Sequence, residues 1–104
     1  MEEKELERVV MDLIVHAGNG RSKALEAIRA ARSGDFGQAD ALLDEAGESL
    51  LSAHEAQSGL IRKEITGDHV PVSLVMVHAQ DHLMNALTVK ELAIEMIEGM
   101  RARR

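Results

Sequence analysis

The sequence predicts an all-α fold, an antiparallel up-down-up bundle of three helices, on three observations. Apolar residues recur at spacings of three, four and seven along most of the chain, two short glycine-containing breaks divide it into segments of about thirty residues, and no strand-like alternation competes. Short connections between long helices make sequence neighbours antiparallel. Each helix would be roughly 45 Å long at ~1.5 Å per residue.

The first segment, residues 2–32, carries Leu6, Val10, Leu13, Ala17, Ala24, Ile28 and Ala31 at helical spacing. It stops at Ser33-Gly34-Asp35, where Gly34 suits the residue after a helix C-cap and Asp35 suits the next N-cap. The second segment, 35–66, is more regular. Ala39, Leu43, Ala46, Leu50, Ala53, Gln57 and Leu60 form a heptad seam interrupted by one amide. The break Thr66-Gly67-Asp68-His69-Val70-Pro71 ends at a proline suited to a first helical turn. The third segment, 70–101, has its main apolar stripe at Val72, Met76, Ala79, Leu83, Ala86, Ala93, Ile97 and Met100. Gly20, Gly47 and Gly59 fall inside the predicted helices, where each costs about 1 kcal/mol relative to alanine if exposed. Gly18-Asn19 is either a point of close helix approach or a tolerated small pair.

A chain of 104 residues makes one domain, and this one builds its core almost without aromatics, since Phe36 stands alone and Trp and Tyr are absent. An alanine-rich aliphatic core buries little area per contact, which makes association attractive. The third segment points the same way. Between Val70 and Val89, Leu74, Val77, Met84 and Leu87 lie off the main stripe, so the helix is apolar on several sides. The stripe Leu74, His78, Asp81, Asn85, Thr88 and Leu92 is therefore expected at or beside a subunit contact.

Composition excludes several function classes. The net charge of −6 offers no electrostatic footprint for nucleic acid, and the basic end Arg101-Ala102-Arg103-Arg104 reads as cations at a helix C-terminus. Without cysteine there is neither a disulfide nor a thiolate metal site. An acidic N-terminus and the lack of an apolar run near ~18 residues predict a soluble, cytoplasmic protein.

Chemistry concentrates in Val77-His78-Ala79-Gln80-Asp81-His82-Leu83-Met84. On a helix, His78, Asp81 and His82 stand at i, i+3 and i+4, within one arc of roughly 100°. Three readings are open. They form a hydrogen-bonded polar patch; they ligate zinc or iron, although His16, His54 and His69 offer no further ligands at a telling spacing; or a histidine is a nucleophile. A neutral imidazole can accept a phosphoryl group and pass it on, and a second imidazole one turn away can donate to its oxygens. No glycine-rich nucleotide cradle is present, so the donor in that case is another phosphoprotein.

The run His78-Ala79-Gln80-Asp81-His82-Leu83-Met84 resembles the active-site signature of the enzyme IIA component of lactose/cellobiose-type sugar phosphotransferase systems. Ala17-Gly18-Asn19-Gly20-Arg21-Ser22, Gly34-Asp35-Phe36, Ala53-His54-Glu55-Ala56-Gln57 and Ile61-Arg62-Lys63-Glu64 resemble the same family in the same order. The resemblance implies a homotrimer of three-helix subunits. Each subunit takes a phosphoryl group from the histidine-containing phosphocarrier protein and passes it to a cysteine of the cognate IIB component, for uptake of a β-linked disaccharide. It implies that His78 is the acceptor, through Nε2, with His82 and Gln80 at supporting positions. It also implies that Asp81 meets its two copies on the trimer axis around one divalent cation, usually magnesium. Asn85 stands where the family commonly has threonine. Arg21 is read as a solvated or paired cation rather than a phosphate ligand. The alternative from a different class is a non-catalytic trimeric adaptor that keeps the fold.

Overall fold

Two left-handed glycines punctuate the chain, and both close the preceding helix in the same way. In the computed structural model, which describes residues 1–103, helix α1 spans Glu3–Arg32, α2 spans Phe36–Ile65 and α3 spans Leu74–Arg103. Gly34, at φ 87°, donates to the Ala31 carbonyl, while the Asp35 N–H reaches back to Ala30. Gly67, at φ 97°, donates to Glu64, and the Asp68 N–H reaches Lys63. These paired bonds satisfy the last carbonyls of α1 and α2 and need the positive φ that glycine adopts without strain. Asp35 then serves the next helix, its carboxylate accepting from the Gln38 N–H at 3.0 Å. The first break is therefore as expected.

The start of the third helix is not. The sequence places it at residue 70 with Pro71 in the first turn, whereas α3 begins at Leu74. Ser73 is the reason: its hydroxyl accepts from the Met76 N–H at 3.1 Å and caps the helix. Residues 68–73 form a non-helical connector, in which Val70 turns into the core while Val72, placed on the buried stripe by periodicity, is 79 % exposed.

The helices pack into a rod of 53 × 20 × 20 Å, with α1 against both neighbours and the thinnest contact between α2 and α3. Half of the described buried apolar residues are alanine. One layer consists of Ala24, Ala46 and Ala93, one from each helix, which lets the three backbones converge. Larger side chains fill either side of it: Leu13, Leu50 and Leu83 toward one end, Phe36, Leu42 and Ile97 toward the other. In α2 the buried residue is Leu42, with Leu43 only partly covered, because this helix faces two neighbours and its buried face is wider than one seam.

Close approach falls at Gly20 rather than at Gly18-Asn19. Gly20 is buried against Leu50, whereas a Cβ on Gly18 would meet nothing within 4 Å. At the far end Arg101 pairs with Asp40 at 2.6 Å and lies 4.9 Å from the centroid of the Phe36 ring, which explains part of the basic terminus; Arg104 lies outside the described residues. Among the described residues no helix is long and apolar enough to cross a membrane.

Candidate functional site

Ala79, Leu83 and Ala86 are fully buried, and this fixes the rotation of α3. At 3.6 residues per turn, the residues beside them then point along the flank of the bundle. All six members of the stripe Leu74, His78, Asp81, Asn85, Thr88 and Leu92 are exposed in the subunit. They run along α3 from its start to Leu92, on a helix that also leaves Val75, Val77 and Met96 about half exposed.

His78, Asp81, His82 and Asn85 line one side of a cleft of about 300 Å³, and Arg21 of α1 lines the other. The two imidazoles meet edge to face, with ring centroids 4.8 Å apart and planes at 80°. His78 and Asp81 are exposed and His82 is half-buried, so the pair presents one accessible ring supported by one held ring. Among the described residues none of His78, Asp81, His82 or Arg21 makes a hydrogen bond or ion pair. The hydrogen-bonded polar patch weighed from sequence is thus not what the subunit contains. Nor, among the described residues, does any group of three or more His, Asp or Glu side chains come together as a metal site, which removes support for zinc or iron shared by His78, Asp81 and His82 within one subunit.

Gln80 is turned elsewhere. Its Oε1 accepts from Gln57 Nε2 on α2, and its own amide nitrogen lies 4.0 Å from Met76 Sδ. The amide that interrupts the apolar seam of α2 therefore has a partner across the bundle, and Gln80 does not line the histidine cleft. Arg21 does. Sequence reasoning set it aside because nothing in Gly20-Arg21-Ser22 marks it; only the seating of α1 against α3 brings it opposite His78.

The family model described as "PTS system, Lactose/Cellobiose specific IIA subunit" matches residues 8–101. The lichenan-specific phosphotransferase enzyme IIA component of Bacillus subtilis is 52% identical over 95 residues, covering 91% of this chain and 86% of that protein. The lactose-specific EIIA component of Lactococcus lactis is 40% identical over 98 residues, covering 94% of this chain and 93% of its own. Among solved structures, the cellobiose-specific enzyme IIA of Bacillus anthracis superposes with a TM-score of 0.91 at 41% identity, over 98% of this chain and 92% of that one. The Escherichia coli IIA(Chitobiose)–HPr complex gives 0.77 at 42% identity, over 98% and 97%.

Proposed function

This chain belongs to the lactose/cellobiose-specific IIA family of sugar phosphotransferase systems, and from that premise we propose that His78 is the residue on which it carries the phosphoryl group. The observation that carries the assignment is the cleft: an exposed imidazole with no hydrogen-bond partner in the subunit, backed by a second imidazole at 4.8 Å. A donor protein of the HPr kind, as in the chitobiose complex, presents its phosphohistidine to this face. The lone pair of His78 Nε2 attacks phosphorus in line. The new N–P bond forms as the donor's N–P bond breaks, and the electron pair returns to the donor imidazole. His82, through a ring N–H, can stabilise the equatorial oxygens as charge spreads over them. In the second half, a cysteine thiolate of the IIB component attacks the same phosphorus, and the His78 N–P bond breaks as the S–P bond forms. The sugar is bound elsewhere in such a system, which fits a site with no sugar-sized aromatic pocket. The relatives' names point to a β-linked saccharide, and the proposed site of the transfer is the cytoplasm.

The reading includes a homotrimer built on α3. Its support is the row of large apolar side chains that α3 leaves about half exposed or more in the lone subunit, Leu74 at 85 % and Leu92 at 56 % with Val75, Val77, Met84 and Met96 between or beside them. Asp81 sits mid-stripe, an exposed carboxylate without a partner. Three copies on an axis would form an all-oxygen donor set that suits magnesium, which tends to retain waters. When bound, the ion would offset most of the charge of the three carboxylates and so help to hold the helices together.

Incubation with phosphoenolpyruvate and the purified general phosphotransferase proteins tests the assignment. We expect an acid-labile, base-stable label on the wild-type protein and none on His78→Ala, which should remain helical. A wild-type protein that takes no label would favour the adaptor reading, and full labelling of the His78→Ala protein would remove the assignment.

A further inference from the structure

We infer that Arg21 is the cation that receives the phosphoryl group carried on His78, a role deepening the reading of His78 as acceptor and resting on it. Phosphorylating His78 places about two negative charges at its ring, one turn from the carboxylate of Asp81, in a chain whose net charge is already −6. Both side chains line the same cleft, and the phosphoryl group brings its own negative charge into it. A cation in the cleft would offset that charge. Of the five residues that line it, Arg21 alone carries a fixed positive charge.

The second observation is what Arg21 does not do. Lys23 faces Glu45 at 3.9 Å, Lys63 faces Asp68 at 3.9 Å and Arg101 binds Asp40 at 2.6 Å, whereas the other described lysines and arginines make no ion pair. Arg21, only two positions before Lys23, has no anionic partner among the described residues. A guanidinium that shares its cleft with an exposed imidazole, and has no carboxylate within ion-pair distance, is available to a ligand that arrives with the reaction.

The third observation is how the residue is held. Gly20 is buried against Leu50, so α1 is seated closely on α2 at this turn. Arg21, about 100° further round the helix, is thereby aimed along the α1–α3 groove. Its planar fork can engage two phosphoryl oxygens at once, while His82 reaches a third. In the lone subunit Arg21 is exposed, and the phosphoryl group would engage its fork. Arg21 in this role stabilises both the transition state and the phosphohistidine, so its removal slows acceptance and also shifts the transfer equilibrium back toward the donor.

The test uses the full chain with purified donor proteins. For Arg21→Gln we expect acceptance from the phosphorylated carrier to slow at least tenfold and the equilibrium to move several-fold toward the donor. Arg21→Lys should fall between the two, because charge is kept and the fork is lost. Phosphorus NMR of the phosphorylated proteins supplies a readout that a structural role would not move: the phosphoryl group should titrate at higher pH in Arg21→Gln than in the wild type, with circular dichroism and thermal midpoint unchanged before phosphorylation. Wild-type rates and an unchanged phosphorus titration in Arg21→Gln, with label still on His78, would overturn the inference alone. Equal losses in both variants with a lowered thermal midpoint would also overturn it, by making the residue structural. Label that is absent from the wild type, or that survives His78→Ala, would overturn the acceptor assignment and the arginine's role together.

Discussion

Gly20 on α1 and Leu50 on α2 approach so closely that a Cβ built on the glycine would lie 2.5 Å from Leu50 Cγ and Cδ2. Leu50 is 2 % exposed and has nowhere to retreat. Gly20→Ala therefore gains helix propensity but overpacks the core, for a net loss of about 1–2 kcal/mol. Leu50→Ala alone should cost about 2–5 kcal/mol. In the double variant the new methyl occupies part of the vacated space, so its loss should fall short of the sum by more than about 0.5 kcal/mol. Urea denaturation of the four proteins reads this coupling directly, and simple additivity would mean the two residues do not touch. Gly59→Ala is the control, since a Cβ there meets nothing within 4 Å; it should stabilise by about 0.5–1 kcal/mol.

Gln80 stands next to Asp81 in the signature but bonds to Gln57 across the bundle. Its removal should then be felt as stability. Gln80→Ala and Gln57→Ala are each expected to cost about 0.5–1.5 kcal/mol, with little further loss in the double variant. Phosphoryl acceptance should stay within a few-fold of wild type in both. A tenfold slower transfer in the Gln80 variant but not the Gln57 variant would put Gln80 on the phosphoryl group itself.

Asp81 is expected to govern assembly. If three copies surround an axis, their repulsion opposes the trimer unless a cation or protons are present. Chelation should loosen the assembly at neutral pH, and mild acid should partly restore it. Asp81→Leu replaces a charged cluster by apolar packing, a change that is neutral or stabilising by about 1–4 kcal/mol in such settings. Sedimentation should find that variant trimeric with or without chelator. A native assembly indifferent to chelator, beside a monomeric leucine variant, would assign Asp81 to another contact.

Asp68 gives the connector between α2 and α3 a pH dependence. Its carboxyl is held below the usual carboxylate range mainly by a hydrogen bond from the Met1 ammonium at 2.8 Å; partial desolvation opposes this, and the charges of that ammonium and of Lys63 add to it. A depressed folded-state pKa means that the stabilisation is fully present above the unfolded value of about 3.9 and is lost as pH falls through the folded value. Asp68→Asn should be slightly less stable than wild type near neutrality, and the gap should close in acid as pH falls below the ordinary carboxylate range. Thermal midpoints measured across that range check it; a gap that is constant with pH would mean the ion pair contributes nothing.

Features that depend on neighbours in sequence were legible without the structure. Periodicity gave three helices, Gly34 and Asp35 marked one turn through backbone freedom and side-chain capping, and i, i+3, i+4 spacing gathered His78, Asp81 and His82. Each is a matter of a few residues and a fixed helical pitch. The start of α3 was less legible because Pro71 and Ser73 both suit a helix start, and the serine cap together with burial of Val70 decided between them. What the tertiary structure alone decided were relations between helices: that Gly20 is required by Leu50, that Gln80 is turned toward Gln57, and that Arg21 faces His78. Those depend on the rotation and closeness of whole helices, which an alanine layer at Ala24, Ala46 and Ala93 permits and which no local pattern encodes.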